Sequence, residues 1–114
     1  MTAYAAARLS PAAGAPHADV LTYIERIQRT MEPYGGRFLV HGAPPEVLEG
    51  DWPGHLVLIA FPDLERARGW YDSPAYRRIL PLRTRHLEGD VVLVDGVPED
   101  YDAARTAARM RAGA

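Results

Sequence analysis

Tyr76 and Arg83 stand seven residues apart, close to two turns of an α-helix, so a helix over this segment carries both on about one side, with Leu80 and Leu87. An inward arginine beside a phenol can grip a carboxylate or an enolate through charge-assisted hydrogen bonds. Trp70 and Tyr71 lie just upstream, and with Tyr76 they offer flat walls of the kind that line small-molecule clefts. A second reading stays open. A buried arginine needs a partner, and Glu49, Asp51 or Asp72 can supply one, leaving the aromatics to fill core.

His41 is the other group suited to chemistry. Its intrinsic pKa is near neutrality, so it can act as a general acid or base, with Glu49 or Asp51 to orient it. Alternatively it is a surface or interface histidine at a strand end. Glu49-Gly50-Asp51-Trp52 likewise reads either as a carboxylate pair beside an indole or as a turn whose glycine supplies a positive φ. His17, His55 and His86 are scattered, with none three or four residues from another, and no metal site is expected.

The bulk composition narrows the chemistry. The 114-residue chain has no cysteine, so disulfides, thiolate metal sites and thiol catalysis are closed. All thirteen basic residues are arginine, so no Schiff-base lysine exists either. No phosphate-binding loop, dinucleotide fingerprint or Gly-x-Ser-x-Gly elbow appears, no local motif supports haem, and no cofactor is expected. The formal net charge of −2 gives no pull toward nucleic acid or anionic lipid. No apolar run is long enough to span a membrane, and MTAYAAARLSPAAGAP lacks the basic start and leucine-rich centre of a signal peptide. A soluble, cytoplasmic protein is the expectation.

The elements that must position these groups follow from periodicity. Thr2–Leu9 reads as a first strand, and Ser10–Pro16 as a loop. A helix over Pro16–Met31 puts Val20, Ile24, Ile27 and Met31 on one stripe and a Glu25–Arg29 pair outside, with Pro33 and Gly35-Gly36 as its stop. Gly36–Gly42 reads as a second strand, with Phe38 and Val40 on one face and Arg37, Leu39 and His41 on the other. A short extended piece is expected at Glu46–Glu49. His55–Phe61 is the clearest strand. Asp63 then caps a helix with Leu64, Ala67 and Tyr71 inward, and Ser73-Pro74 starts another. Pro81 should kink or re-nucleate that segment, which is expected to end near Glu88-Gly89. Asp90–Asp95 is the last strand.

This order, β-α-β-β-α-β, predicts an α+β ferredoxin-like domain over residues 1–97, an antiparallel four-stranded sheet with helices on one face. Residues 98–114 read as a polar C-terminal helical extension prone to fraying. Leu56–Phe61 is apolar at every position, so both faces of that strand call for burial. Two helices cover only one. A second copy of the chain, packed sheet to sheet as a two-fold homodimer, is the economical cover for the other.

YGGRFLVHG, EVLEGDWP, LVLIAFPDLERARGWYDSPAYRRILPLR and VVLVDG resemble, in order and spacing, the family called domain of unknown function 1330, in the dimeric α/β-barrel group. The resemblance spans Tyr34–Gly96, and the WYxSPxYxxxxPLR string is distinctive. The first strand and helix match only in layout. The chain carries His41 where the family usually has arginine. The resemblance implies a homodimer whose sheets close into a barrel-like core. It implies no reaction, since the wider group includes cofactor-independent monooxygenases, muconolactone isomerase and haem peroxidases. Two functions follow for the same cleft. One is a cofactor-independent enzyme with His41 and Arg83 as catalytic groups and Trp70, Tyr71, Tyr76 and Glu49 contacting substrate. The other is a non-catalytic ligand-binding or accessory homodimer. RNA binding is excluded, because it calls for exposed aromatics on the central strands and a basic face.

Overall fold

The structure is a computed structural model that describes residues 1–10 and 14–113, so the Ser10–Pro16 loop reading falls in part, at residues 11–13, outside the described residues. The elements run β1 (Ala3–Leu9), α1 (Ala18–Met31), a 3-10 turn (Glu32–Tyr34), β2 (Arg37–His41), β3 (His55–Phe61), α2 (Leu64–Asp72), α3 (Pro74–Thr84), β4 (Gly89–Asp95) and α4 (Ala103–Ala112). One antiparallel sheet has the strand order β2-β3-β1-β4, the ferredoxin-like arrangement expected from the element order.

The helix boundaries have local causes. His17 caps α1 by accepting from the Asp19 N–H, Asp63 caps α2 by accepting from the Arg66 N–H, and Ser73 caps α3, where Pro74 takes the first position. After the 3-10 turn, Gly35 reverses the chain at φ 71°, and a Cβ there would sit 2.8 Å from Pro62 Cγ. Pro81 lies inside α3 without ending it. It withholds one N–H from the ladder, and buried Ile79 and Arg83 on either side hold the segment helical through Thr84. Residues 43–54 are an irregular connection, and the short piece at Glu46–Glu49 joins no sheet. Glu25 and Arg29 are both exposed and make no ion pair among the described residues.

The core fills the space between the sheet and the helices. Ala5, Ile59 and Phe61 meet Tyr23, Ile27 and Met31 of α1, Ala67 and Trp70 of α2, and Tyr76 and Ile79 of α3. Trp70, Tyr76, Phe61 and Met31 are the largest fully buried side chains. Each such burial contributes roughly 1.5–3 kcal/mol. Val20, Ile27 and Met31 of α1 and Ala67 of α2 face inward as expected, but one position in each helix differs. Ile24 is 43% exposed and Tyr23 takes its inward place, while Trp70 replaces Tyr71 as the buried aromatic of α2. Both polar groups are satisfied: Tyr23 Oη lies 2.8 Å from Tyr76 Oη, and Trp70 Nε1 donates to Thr30 Oγ1 at 2.9 Å.

Among the described residues, no helix covers the opposite face of the sheet. Strand alternation gives it Tyr4, Ala6, Leu56, Leu58, Val92 and Val94, and the last two are 55% and 51% exposed. α4 projects with no buried residue. Among the described residues, no helix is long and apolar enough to cross a membrane.

Candidate functional site

A cavity of about 380 Å³ lies between the helix-covered face of the sheet and helices α1 and α3. Its floor is Ala5, Ala7, Val57, Ile59 and Val91, one face of three adjacent strands. Val20, Tyr23 and Ile27 of α1 form one wall, and Tyr76 and Arg83 of α3 with Leu87 form another. Ser10, Gly14, Pro16, Gly42 and His55 surround the end where β1 and β2 finish.

Arg83 is the one charged group sunk into this apolar space among the described residues, at 5% exposure. The spacing from Tyr76 through Ile79 to Arg83 turns all three inward. Glu49, Asp51 and Asp72 do not pair with it; Asp72 instead binds Arg77 at 3.0 Å. Among the described residues no carboxylate stands within ion-pairing distance of Arg83. Its guanidinium carbon lies 5.6 Å from the centre of the Tyr23 ring, a cation–π contact. Burial works against the cation, yet the phenols of Tyr23 and Tyr76 more than offset it, so the Arg83 pKa is raised and the charge persists. Burial also pushes the Tyr23 phenol well up from its ordinary value, reinforced by Tyr76 beside it, so Tyr23 is a neutral donor at physiological pH. The result is a lasting positive charge with the Tyr23 and Tyr76 hydroxyls close by, beside an apolar void. Such a constellation suits an anionic ligand head on an apolar body.

A β-bulge aims His41 at this cavity. Phe38 pairs with Ile59, but Val40 pairs with Leu58, so Leu39 is an extra residue in β2. The bulge corrects the alternation read from sequence. Phe38 and His41 share the helix-covered face, with rings stacked at 4.3 Å and 11°, and Val40 moves to the open face with Arg37.

Of the expected site residues, the cavity brings together His41, Arg83, Trp70 and Tyr76. Tyr71 does not line it. That ring packs 5.5 Å from Tyr76 on the far side and carries Arg77 4.7 Å above it. Glu49 is exposed in the 43–54 connection, away from the cavity, where Gly50 at φ 74° makes the turn reading good. Tyr23 and His55 were missed. The alternation of HLVLIAF places His55 with Val57, Ile59 and Phe61, a signal that was legible. Tyr23 had only the spacing Val20–Tyr23–Ile27–Thr30 to mark it, in competition with the more apolar Ile24.

His17 and His86, expected to stay apart, meet outside the cavity. Their rings stack at 3.7 Å, and His86 Nε2 lies 2.9 Å from Asp19 Oδ2. That hydrogen bond holds the Asp19 carboxyl below its usual range.

Residues 2–97 match the family model described as Domain of unknown function (DUF1330). No curated protein matches the chain. Among solved structures, a protein of unknown function from Rhodopseudomonas palustris aligns with TM-score 0.64 at 16% identity, covering 85% of this chain and 83% of its own. SnoaB, a cofactor-independent oxygenase from Streptomyces nogalater, aligns with TM-score 0.60 at 14% identity over 89% of this chain and 98% of its own. A dimeric ferredoxin-like protein of unknown function from Jannaschia sp. gives TM-score 0.55 at 13% identity, with coverages of 84% and 100%. At these identities the likeness is one of fold.

Proposed function

The chain belongs to the DUF1330 family, and from that premise we propose that it is a cytoplasmic homodimer that binds a small carboxylate- or enolate-bearing metabolite in the cleft between sheet and helices. One observation carries the reading: Arg83 is buried at the cavity wall with no carboxylate of its own among the described residues. A cation without a protein counter-charge, beside about 380 Å³ of mostly apolar space, is matched by a ligand that brings the anion. The cavity fits a molecule of one or two rings.

Catalysis without a cofactor is consistent with the same groups. His41 supplies a proton acceptor at the cavity rim, and Arg83 with the neutral Tyr23 phenol stabilises a developing enolate. The fold likeness to a cofactor-independent oxygenase fits this reading. A non-catalytic ligand carrier would use Arg83 alike and have no need of His41.

The homodimer forms through the open sheet face. Val92, Val94 and Leu58 are apolar and uncovered or half-covered there, and a fold relative is described as dimeric. Sedimentation at micromolar concentration checks this part, and a stable monomer overturns it.

A thermal-shift panel of aromatic and aliphatic acids, each beside its primary amide, tests the ligand class. Acids should raise the melting temperature and amides should not, and Arg83→Met should erase the difference. Equal shifts from an acid and its amide would overturn the assignment. Turnover of a bound acid that His41→Ala abolishes while binding persists identifies an enzyme; binding without turnover identifies the carrier.

A further inference from the structure

We propose that His17, Asp19 and His86 form a binding site for a divalent transition metal of the zinc type, clamping the start of α1 to the end of α3. The three residues come from two segments that only the fold brings together. His17 is the cap of α1, Asp19 is in its first turn, and His86 follows the last turn of α3. Their ligand atoms all lie within 4.8 Å of one another. His86 Nε2 is 2.9 Å from Asp19 Oδ2, and His17 Nδ1 is 3.7 Å from the same oxygen.

Zinc–ligand bonds of ~2.0–2.1 Å in a tetrahedron separate neighbouring ligand atoms by about 3.3–3.4 Å. The two separations to Asp19 Oδ2 bracket that value, and with all three ligand atoms inside 4.8 Å side-chain rotation can bring them around one ion. Two imidazoles and one carboxylate are donors that Zn²⁺, Co²⁺ and Ni²⁺ accept, and three protein ligands leave a further position for water.

Two costs are visible. The Asp19 N–H now donates to His17 Nδ1 at 3.0 Å, and a metal on that nitrogen replaces a capping bond. The rings are nearly parallel, 15° apart, and must splay so that both ring planes contain the ion. Both changes fall on half-exposed side chains, with His17, Asp19 and His86 at 52%, 37% and 24% side-chain exposure. The site is close to the cavity but separate from it: Pro16 and Leu87, the chain neighbours of His17 and His86, line the cavity, whereas the three ligands do not. A bound ion would therefore draw together two segments that border the cavity without entering it.

Titration of the intact protein with Co²⁺, followed by visible absorption and competed with Zn²⁺, tests the assignment. One ion per chain is expected, with the visible bands of nitrogen–oxygen coordination. His17→Asn keeps a capping side chain but removes the imidazole, and His86→Ala removes the other. Each should weaken binding at least tenfold, while His41→Ala, on the cavity, should not. Circular dichroism of the metal-free variants establishes that they fold. Absence of Co²⁺ or Zn²⁺ binding at 1 mM in the wild type, or unchanged affinity in folded His17→Asn, would overturn the proposal.

Discussion

Arg83→Met separates a structural arginine from one held ready for a ligand. The substitution keeps an unbranched chain of similar reach and removes the charge. On the debit side, the cation–π contact to Tyr23 disappears, at a cost of about 0.5–2 kcal/mol. On the credit side, a cation that is 5% exposed no longer has to be desolvated, and no protein carboxylate among the described residues is left without its partner. Replacing buried charge by apolar side chains is often neutral or stabilising by about 1–4 kcal/mol when nothing is orphaned. The two contributions nearly cancel, so the expected change is within ~1 kcal/mol, or up to about 8 °C in melting temperature for a domain of this size. Breaking a buried ion pair instead costs about 3–5 kcal/mol, a fall of at least ~12 °C on the same scale. Urea unfolding and thermal melts at fixed protomer concentration measure the difference. A loss above ~3 kcal/mol would refute the reasoning and make Arg83 a structural tie.

Thr30→Val should leave the Trp70 indole N–H without its acceptor in a site 2% exposed, at a cost of about 1–3 kcal/mol in urea unfolding; a loss below ~0.5 kcal/mol would mean the indole finds another partner. Because the folded-state pKa of Tyr23 is raised, its stabilisation is fully present below the unfolded value near 10 and is lost as pH rises beyond it. Wild-type stability should therefore fall above about pH 10 more steeply than that of Tyr23→Phe, by up to ~1.4 kcal/mol per pH unit; parallel slopes in the two proteins would show that Tyr23 ionises freely.

Elements whose cause is local were legible. His55–Phe61 forms the strand its β-branched and apolar run predicts, and Ser73-Pro74 starts a helix as capping chemistry requires. What escaped depends on partners distant in sequence. Tyr23 faces inward because Tyr76, fifty-three residues on, satisfies its hydroxyl; Trp70 does so because Thr30 accepts its N–H. A hydropathy stripe counts both as less apolar than Ile24 and has no means to see either bond. The same limit applied to His17 and His86, which meet only because α1 packs against α3 with its start beside the other's end. The spacing alone points to Arg83, but its want of a carboxylate partner among the described residues is a property of the fold.

The Leu39 bulge makes the aim of His41 a matter of counting. Were Leu39 to pair as an ordinary strand residue, regular alternation would put Val40 beside Phe38 on the helix-covered face and turn the imidazole of His41 to the open one. Whether this one residue bulges or pairs thus decides whether His41 or Val40 faces the cavity, with no change in the amino acids themselves. Relatives of equal length that pair this strand without the bulge would differ in chemistry more than their aligned letters suggest, and comparison of their cavities should be made by sheet register rather than by column.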